Sequence, residues 1–204
     1  MAQARAITEQ IATGQPQHSI RIFPPWCVEN WETVDDRIRG GKSISFLRTR
    51  NRDGGVVFSG TLDTTALGGA GFASQRYQFP GGPLHVPSPE YAGMRIELDP
   101  TTCSHHTPKE FTFILATTPI TRRPDGRANS RTNWEATFTN SQSSFDLPFD
   151  AFKATYRGRP VEPAPVLDTT NVFDVSVMCR SGFGAQAGEF ELGILSIEAI
   201  IPPS

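Results

Sequence analysis

The sequence offers little with which to build a disulfide framework. Its three cysteines, Cys27, Cys103 and Cys179, are far apart and never at C-x-x-C spacing. That excludes a zinc knuckle as well, and the three read as reduced thiols, mostly buried. A charge excess of one sign is also missing: 19 basic residues stand against 21 acidic ones, a formal net charge of -2. Without a strong field, neither nucleic acid nor an anionic membrane surface is an expected partner. Apolar runs are short; Phe111 to Ala116 is typical, against the ~20 residues needed to cross a bilayer. The polar opening stretch, Met1 to Gln17, has no apolar core of the secretory kind, and it makes a poor mitochondrial presequence because Arg5 is offset by Glu9. No Asn-x-Ser/Thr sequon occurs. The expected location is cytoplasmic.

What the chain has in abundance is punctuation. Its 18 glycines and 17 prolines are scattered throughout, which breaks long helices and leaves room for short strands between turns. Period-two alternation is readable in Ile44 to Phe46, Val56 to Leu62, Phe72 to Phe79, Met94 to Leu98, Phe111 to Leu115, Trp134 to Phe138, Phe173 to Val177 and Phe190 to Ile194, with a last strand through Ile197. Roughly nine or ten strands are expected. Helix is confined to a turn around Ile7 to Ile11 and another near Phe149 to Phe152. Three stretches break the rhythm and read as loops: Pro80 to Pro89, Pro119 to Thr132 with its four arginines, and Gly158 to Pro165. Alternating strands with no helices to cover them must stack as two antiparallel sheets. The expected fold is all-β, a jelly-roll sandwich, with residues 1–20 as a flexible N-terminal segment and 21–204 as a single domain.

Few residues suggest chemistry. Arg76 lies on an otherwise apolar, aromatic strand, where a guanidinium needs a carboxylate or a ligand. Asp35 or Asp36 is its expected partner, either as a clamp between strands or beside a ligand pocket. Trp134, Phe138, Phe111, Phe113, Tyr77 and Tyr156 supply aromatic surface for a core or an apolar cleft. His105 and His106 are neighbours; on a strand they would face opposite sides, so they make no metal site together, although one can serve as a proton donor or acceptor. The glycine-rich Gly68-Gly69-Ala70-Gly71 lacks a phosphate-loop lysine, and no G-x-S-x-G elbow exists. Arg122, Arg123, Arg127 and Arg131 read as a solvated loop tip. The ligand-binding candidates are Arg76, Tyr77, Trp134, Tyr156 and Arg157; the catalytic candidates are Arg76, His105 and His106; no metal and no cofactor is expected.

A run of short motifs in order carries a family resemblance. Trp31, Val34, Asp35 and Asp36, then Gly40-Gly41 and Ser43-Ile44-Ser45, are followed by Phe58-Ser59-Gly60-Thr61-Leu62, Gly71-Phe72-Ala73-Ser74-Gln75-Arg76 and Tyr91-Ala92-Gly93. Trp134 to Phe138, Leu147-Pro148-Phe149, Arg157-Gly158-Arg159, Leu167-Asp168 and Gly188 to Leu192 complete the series. Over about residues 31 to 200 the chain resembles the complex I intermediate-associated protein 30 (CIA30) family, which implies a galactose-binding-like jelly roll. Two features depart from that pattern: Phe145 stands in place of a tryptophan, and Ala66-Leu67-Gly68-Gly69-Ala70 replaces an asparagine-rich approach to the next strand.

Three functions are in view. One is a small-molecule-binding jelly roll, acting on a hydrophobic terpenoid or polyketide-like metabolite as a cofactor-independent cyclase or pericyclase by holding a folded conformer and donating hydrogen bonds to a carbonyl. The resemblance implies a second, a mitochondrial assembly chaperone whose partner is a respiratory complex I intermediate. The third, a carbohydrate-binding module, rests on the fold alone.

Overall fold

The structure is a computed structural model that describes residues 19–50, 52–104 and 109–202. Thirteen strands occur among them: β1 (Ser19–Phe23), β2 (Trp31–Thr33), β3 (Ile44–Thr49), β4 (Val56–Leu62), β5 (Phe72–Gln78), β6 (Gly93–Leu98), β7 (Glu110–Ala116), β8 (Thr132–Thr139), β9 (Ser144–Pro148), β10 (Lys153–Tyr156), β11 (Arg159–Pro160), β12 (Asp174–Arg180) and β13 (Gly188–Ile200). They form two antiparallel sheets. One runs β3-β4-β13-β6-β9 with β1 added along β13; the other runs β11-β10-β8-β7-β12-β5-β2. This is the expected all-β jelly-roll sandwich.

The sheets stack because each strand turns alternate residues inward. Val56, Phe58 and Leu62 of β4, Met94, Ile96 and Leu98 of β6, and Leu192 and Ile194 of β13 meet Phe111, Phe113 and Leu115 of β7 and Val175, Val177 and Cys179 of β12, all buried. Rings stitch the two layers: Phe58 lies 6.3 Å from Phe111, and Phe190 lies 6.2 Å from Phe111. At ~25 cal/mol per Å² of apolar surface withdrawn from water, this interior is the main stabilising force. The outer face of the β1-containing sheet is charged, with Arg95 on Asp146 at 2.6 Å.

Every strand read from alternation is present. The five that alternation does not reveal are β1, β2, β9, β10 and β11, four of them near a sheet edge or too short to show a period. The two final strands are one continuous strand, β13, because a bulge between Ile194 and Ser196 lets the chain bend without leaving the sheet. Strand β1 begins at Ser19, paired with Ile200, inside the segment expected to be flexible. The helical turn expected at Ile7 to Ile11 lies outside the described residues, whereas the turn at Phe149–Ala151 is a 3-10 helix. Among the described residues no helix is long and apolar enough to cross a membrane.

Two buried carboxylates lock β3 to β5 across the sandwich. Asp35 accepts from the Ser45 and Ser74 backbone N–H groups, each at 3.0 Å, and from the Ser45 hydroxyl at 2.6 Å. Asp36, fully buried, accepts from Ser43 N at 3.0 Å and Phe72 N at 3.1 Å. Its carboxylate fills the space a side chain at Gly41 would need, which explains the Gly40-Gly41 step. Neither aspartate meets Arg76, so the expected Arg76 partnership is corrected: Asp36 is held by backbone amides, and Asp35 by backbone amides, the Ser45 hydroxyl and Arg37 at 3.6 Å.

Candidate functional site

The outer face of the β2-containing sheet is concave and forms a groove of about 440 Å³, a size typical of ligand pockets. Register decides its floor. Ser176 of β12 stands opposite both Arg76 of β5 and Ile114 of β7, and Ile114 stands opposite Glu135 of β8. Ser74, Met178 and Arg180 share that face by the two-residue period and also line the groove.

Arginine is concentrated here. Arg39, Arg76, Arg131, Arg157 and Arg180 line the groove against two carboxylates, Glu135 and Asp174, in a chain whose net charge is -2. Three ion pairs brace the floor. Arg76 Nη2 donates to Glu32 Oε2 at 2.8 Å, Arg131 Nη2 to both oxygens of Asp174 at 2.6 and 2.5 Å, and Arg180 Nη2 to Glu135 Oε2 at 2.5 Å. The last spans β12 to β8 over the intervening β7. The Nε atoms of Arg76 and Arg180 are buried without a hydrogen-bond partner, so each guanidinium keeps donor capacity in reserve. The carboxylates respond differently. Burial raises Glu32, but Arg76 and Arg122 outweigh it and hold the group below its ordinary value. For the more deeply buried Asp174, loss of hydration prevails over Arg131 and Arg76 and pushes the carboxyl up.

One end of the groove is apolar and built from left-handed backbone. Leu67, Gly68 and Gly69 have φ of 52°, 64° and 88°; Gly182, Phe183 and Gly184 have φ of 56°, 59° and 93°. Ser181 joins the two loops: its hydroxyl donates to Gly69 O at 2.7 Å and accepts from Gly71 N at 2.8 Å. Leu67 and Phe183 are exposed there beside Ile38. The third positive-φ residue other than glycine, Arg157 (φ 55°), lies at the other end, in the two-residue turn with Gly158 that joins β10 to β11. All three line the groove. Such backbone costs on the order of 1–3 kcal/mol per residue and gathers where ligands are gripped.

The residues singled out from the sequence divide. Arg76 and Arg157 line the groove, Arg157 with its Nε on Ser130 Oγ at 2.9 Å. Tyr77 and Trp134 do not: both turn inward into the core, Tyr77 against Phe23, Trp31 and Phe79. For these two the ligand-contact expectation is corrected, because Tyr77 neighbours Arg76 on β5 and so faces the opposite side of the sheet. Tyr156 is exposed outside the groove, under Arg157 at 5.6 Å. His105 and His106 lie outside the described residues. The arginine-rich loop is also more structured than a solvated tip: a bridge pairs Arg122 with Ala128, Arg122 reaches Glu32 at 3.7 Å and Arg131 reaches the floor. Sequence reading missed Glu32, Glu135, Asp174, Leu67 and Phe183. The glycines that follow Leu67 and those on either side of Phe183 are the signal that could have found the last two.

Comparison with known proteins adds identity to this geometry. The sequence pattern of complex I intermediate-associated protein 30 (CIA30) matches residues 24–194. The chain belongs to the CIA30 family. An uncharacterized protein of Schizosaccharomyces pombe is 38% identical over 194 residues, covering 92% of this chain and 82% of that protein. Among solved structures, the CIA30 sandwich is similar to the family 11 carbohydrate-binding module of a Clostridium thermocellum cellulosomal cellulase, with a TM-score of 0.58 at 15% identity over 92% of this chain and 97% of the module. The same module in complex with a mixed-linked tetrasaccharide gives a TM-score of 0.54 at 16% identity, covering 90% and 94%. At such identities the likeness is one of fold.

Proposed function

We propose that this CIA30 protein is a non-catalytic binding factor that holds a polypeptide segment of a respiratory complex I intermediate in the concave groove. The carrying observation is that the groove gathers all three strained residues of the described chain, Leu67, Arg157 and Phe183, around an arginine-rich floor. Strain maintained at one surface is accounted for by an occupant that uses it. The family's description supports the choice of partner.

The other readings have less behind them. Cyclisation of a terpenoid or polyketide-like metabolite called on an aromatic cleft, yet Tyr77 and Trp134 belong to the core and the groove floor is charged. Sugar rings bind best on flat aromatic faces, and the lining contains only Phe72 and Phe183, the latter at the rim.

The test is native electrophoresis of respiratory complexes from cells carrying a tagged chain, wild type or Arg76→Gln/Phe183→Ala. Wild-type protein is expected to migrate with a complex I intermediate and the double variant to be released from it. Absence of the wild type from every such intermediate, or equal retention of the variant, would overturn the reading.

A further inference from the structure

The groove is chemically two-ended, and its ends are a fixed distance apart. Ile38, Leu67 and Phe183 stand exposed at one end beside Phe72. Arg76 lies four residues along β5 from Phe72, and Arg157 lines the groove from the β10–β11 turn across the sheet. At 3.2–3.4 Å per residue the two ends are about 13 Å apart, and an extended peptide lying along β5 covers that distance in about four residues.

Charge selects what the second end takes. Asp174 is already held by both oxygens on Arg131, and Glu32 is shared between Arg76 and Arg122. Arg76 keeps an unpartnered Nε and Arg157 is exposed; with Arg39 and Arg180 standing at the Phe72 end, three lining arginines, Arg76, Arg131 and Arg157, remain here against Glu135 and Asp174. A carboxylate arriving there meets surplus guanidinium, which is suited to bidentate pairing; an ammonium meets repulsion. At the first end the left-handed loops hold Leu67 and Phe183 outward, and Ser181 prevents them from folding back.

Resting on the binding reading above, we infer that the groove recognises an extended peptide segment carrying a large apolar side chain at the Leu67–Phe183 end and an acidic side chain about four residues away, at Arg76. Specificity comes from the spacing: the apolar residue is desolvated between the loops only when the carboxylate reaches the arginines.

Selection of a displayed random decapeptide library on the purified full chain tests this, with the selected peptides then titrated by fluorescence anisotropy. The expected winners pair a large apolar residue with Asp or Glu three to five residues away, in either chain direction. Arg76→Gln and Phe183→Ala are each expected to weaken them about tenfold, whereas Arg95→Gln on the other sheet leaves affinity unchanged. Circular dichroism of each variant separates lost binding from lost folding. Groove-dependent peptides without the apolar and acidic pairing, or pairing peptides indifferent to Arg76→Gln, would overturn the inference while leaving the binding reading intact. If neither variant affects any selected peptide, both fail.

Discussion

The Ser181 hydroxyl donates to the Gly69 carbonyl oxygen at 2.7 Å, fastening the loop after β12 to the loop before β5 at the mouth of the groove. The Ser181 hydroxyl in turn accepts from Gly71 N, and Ser181 is 1% exposed. Ser181→Ala leaves a buried amide unpaired, which costs about 1–3 kcal/mol. Urea denaturation should show that loss, and faster hydrogen exchange at the Gly71 amide should locate it. A variant as stable as wild type would mean the two loops need no fastener.

Arg76 and Glu32 should couple only weakly in stability. Glu32 is 42% exposed on its side chain, so solvent screening limits the pair to roughly 0.2–1 kcal/mol. A double-mutant cycle with Arg76→Gln and Glu32→Gln checks it. A coupling of several kcal/mol would make Arg76 a structural clamp and weaken its place in recognition.

Trp134 serves packing. It is 6% exposed and sits within the core cluster, so Trp134→Ala should cost about 3–5 kcal/mol in chemical denaturation. A stable variant that only lost ligand would return Trp134 to the groove.

Asp36 holds the two sheets in register through two backbone amides. At about 1.5–3 kcal/mol for each such bond to a carboxylate, Asp36→Ala is expected to lose about 3–6 kcal/mol. Gly41→Ala should destabilise in the same direction, since its new methyl group would collide with the Asp36 carboxylate. Thermal melts of the two variants are the comparison; wild-type behaviour of Gly41→Ala would mean the carboxylate can move aside.

Acid sensitivity should depend on Asp99. Hydrogen bonds from the Thr101 hydroxyl and amide, then Arg50, hold its carboxyl at about 2. An unfolded aspartate titrates near ~3.9. The depressed folded value means its stabilising contribution is complete above the unfolded value and disappears as pH falls through about 2. Asp99→Asn is therefore expected to flatten the acid limb of stability between pH 4 and 2. An unchanged limb would assign acid unfolding to other carboxylates.

The strands could be read because inward positions in Met94-Ile96-Leu98 or Phe111-Phe113-Leu115 declare themselves by period alone, and burial in the structure follows that period. The short β2 and β11 could not, since three and two residues carry no period. Arg76 was conspicuous as a charge among aromatics, but its partner was not. Asp35 and Asp36 were nearer in expectation, yet their carboxylates turn to backbone amides.

Alternation of apolar and polar side chains is a local property, and it alone determined that this chain builds two stacked sheets with an apolar interior. The groove is different in kind. Which guanidinium meets which carboxylate depends on register between strands distant in sequence, as with Arg180 and Glu135, 45 residues apart and separated by β7. Only the closed tertiary structure brings such pairs together, because pairing energies act through space and the chain order does not encode those distances.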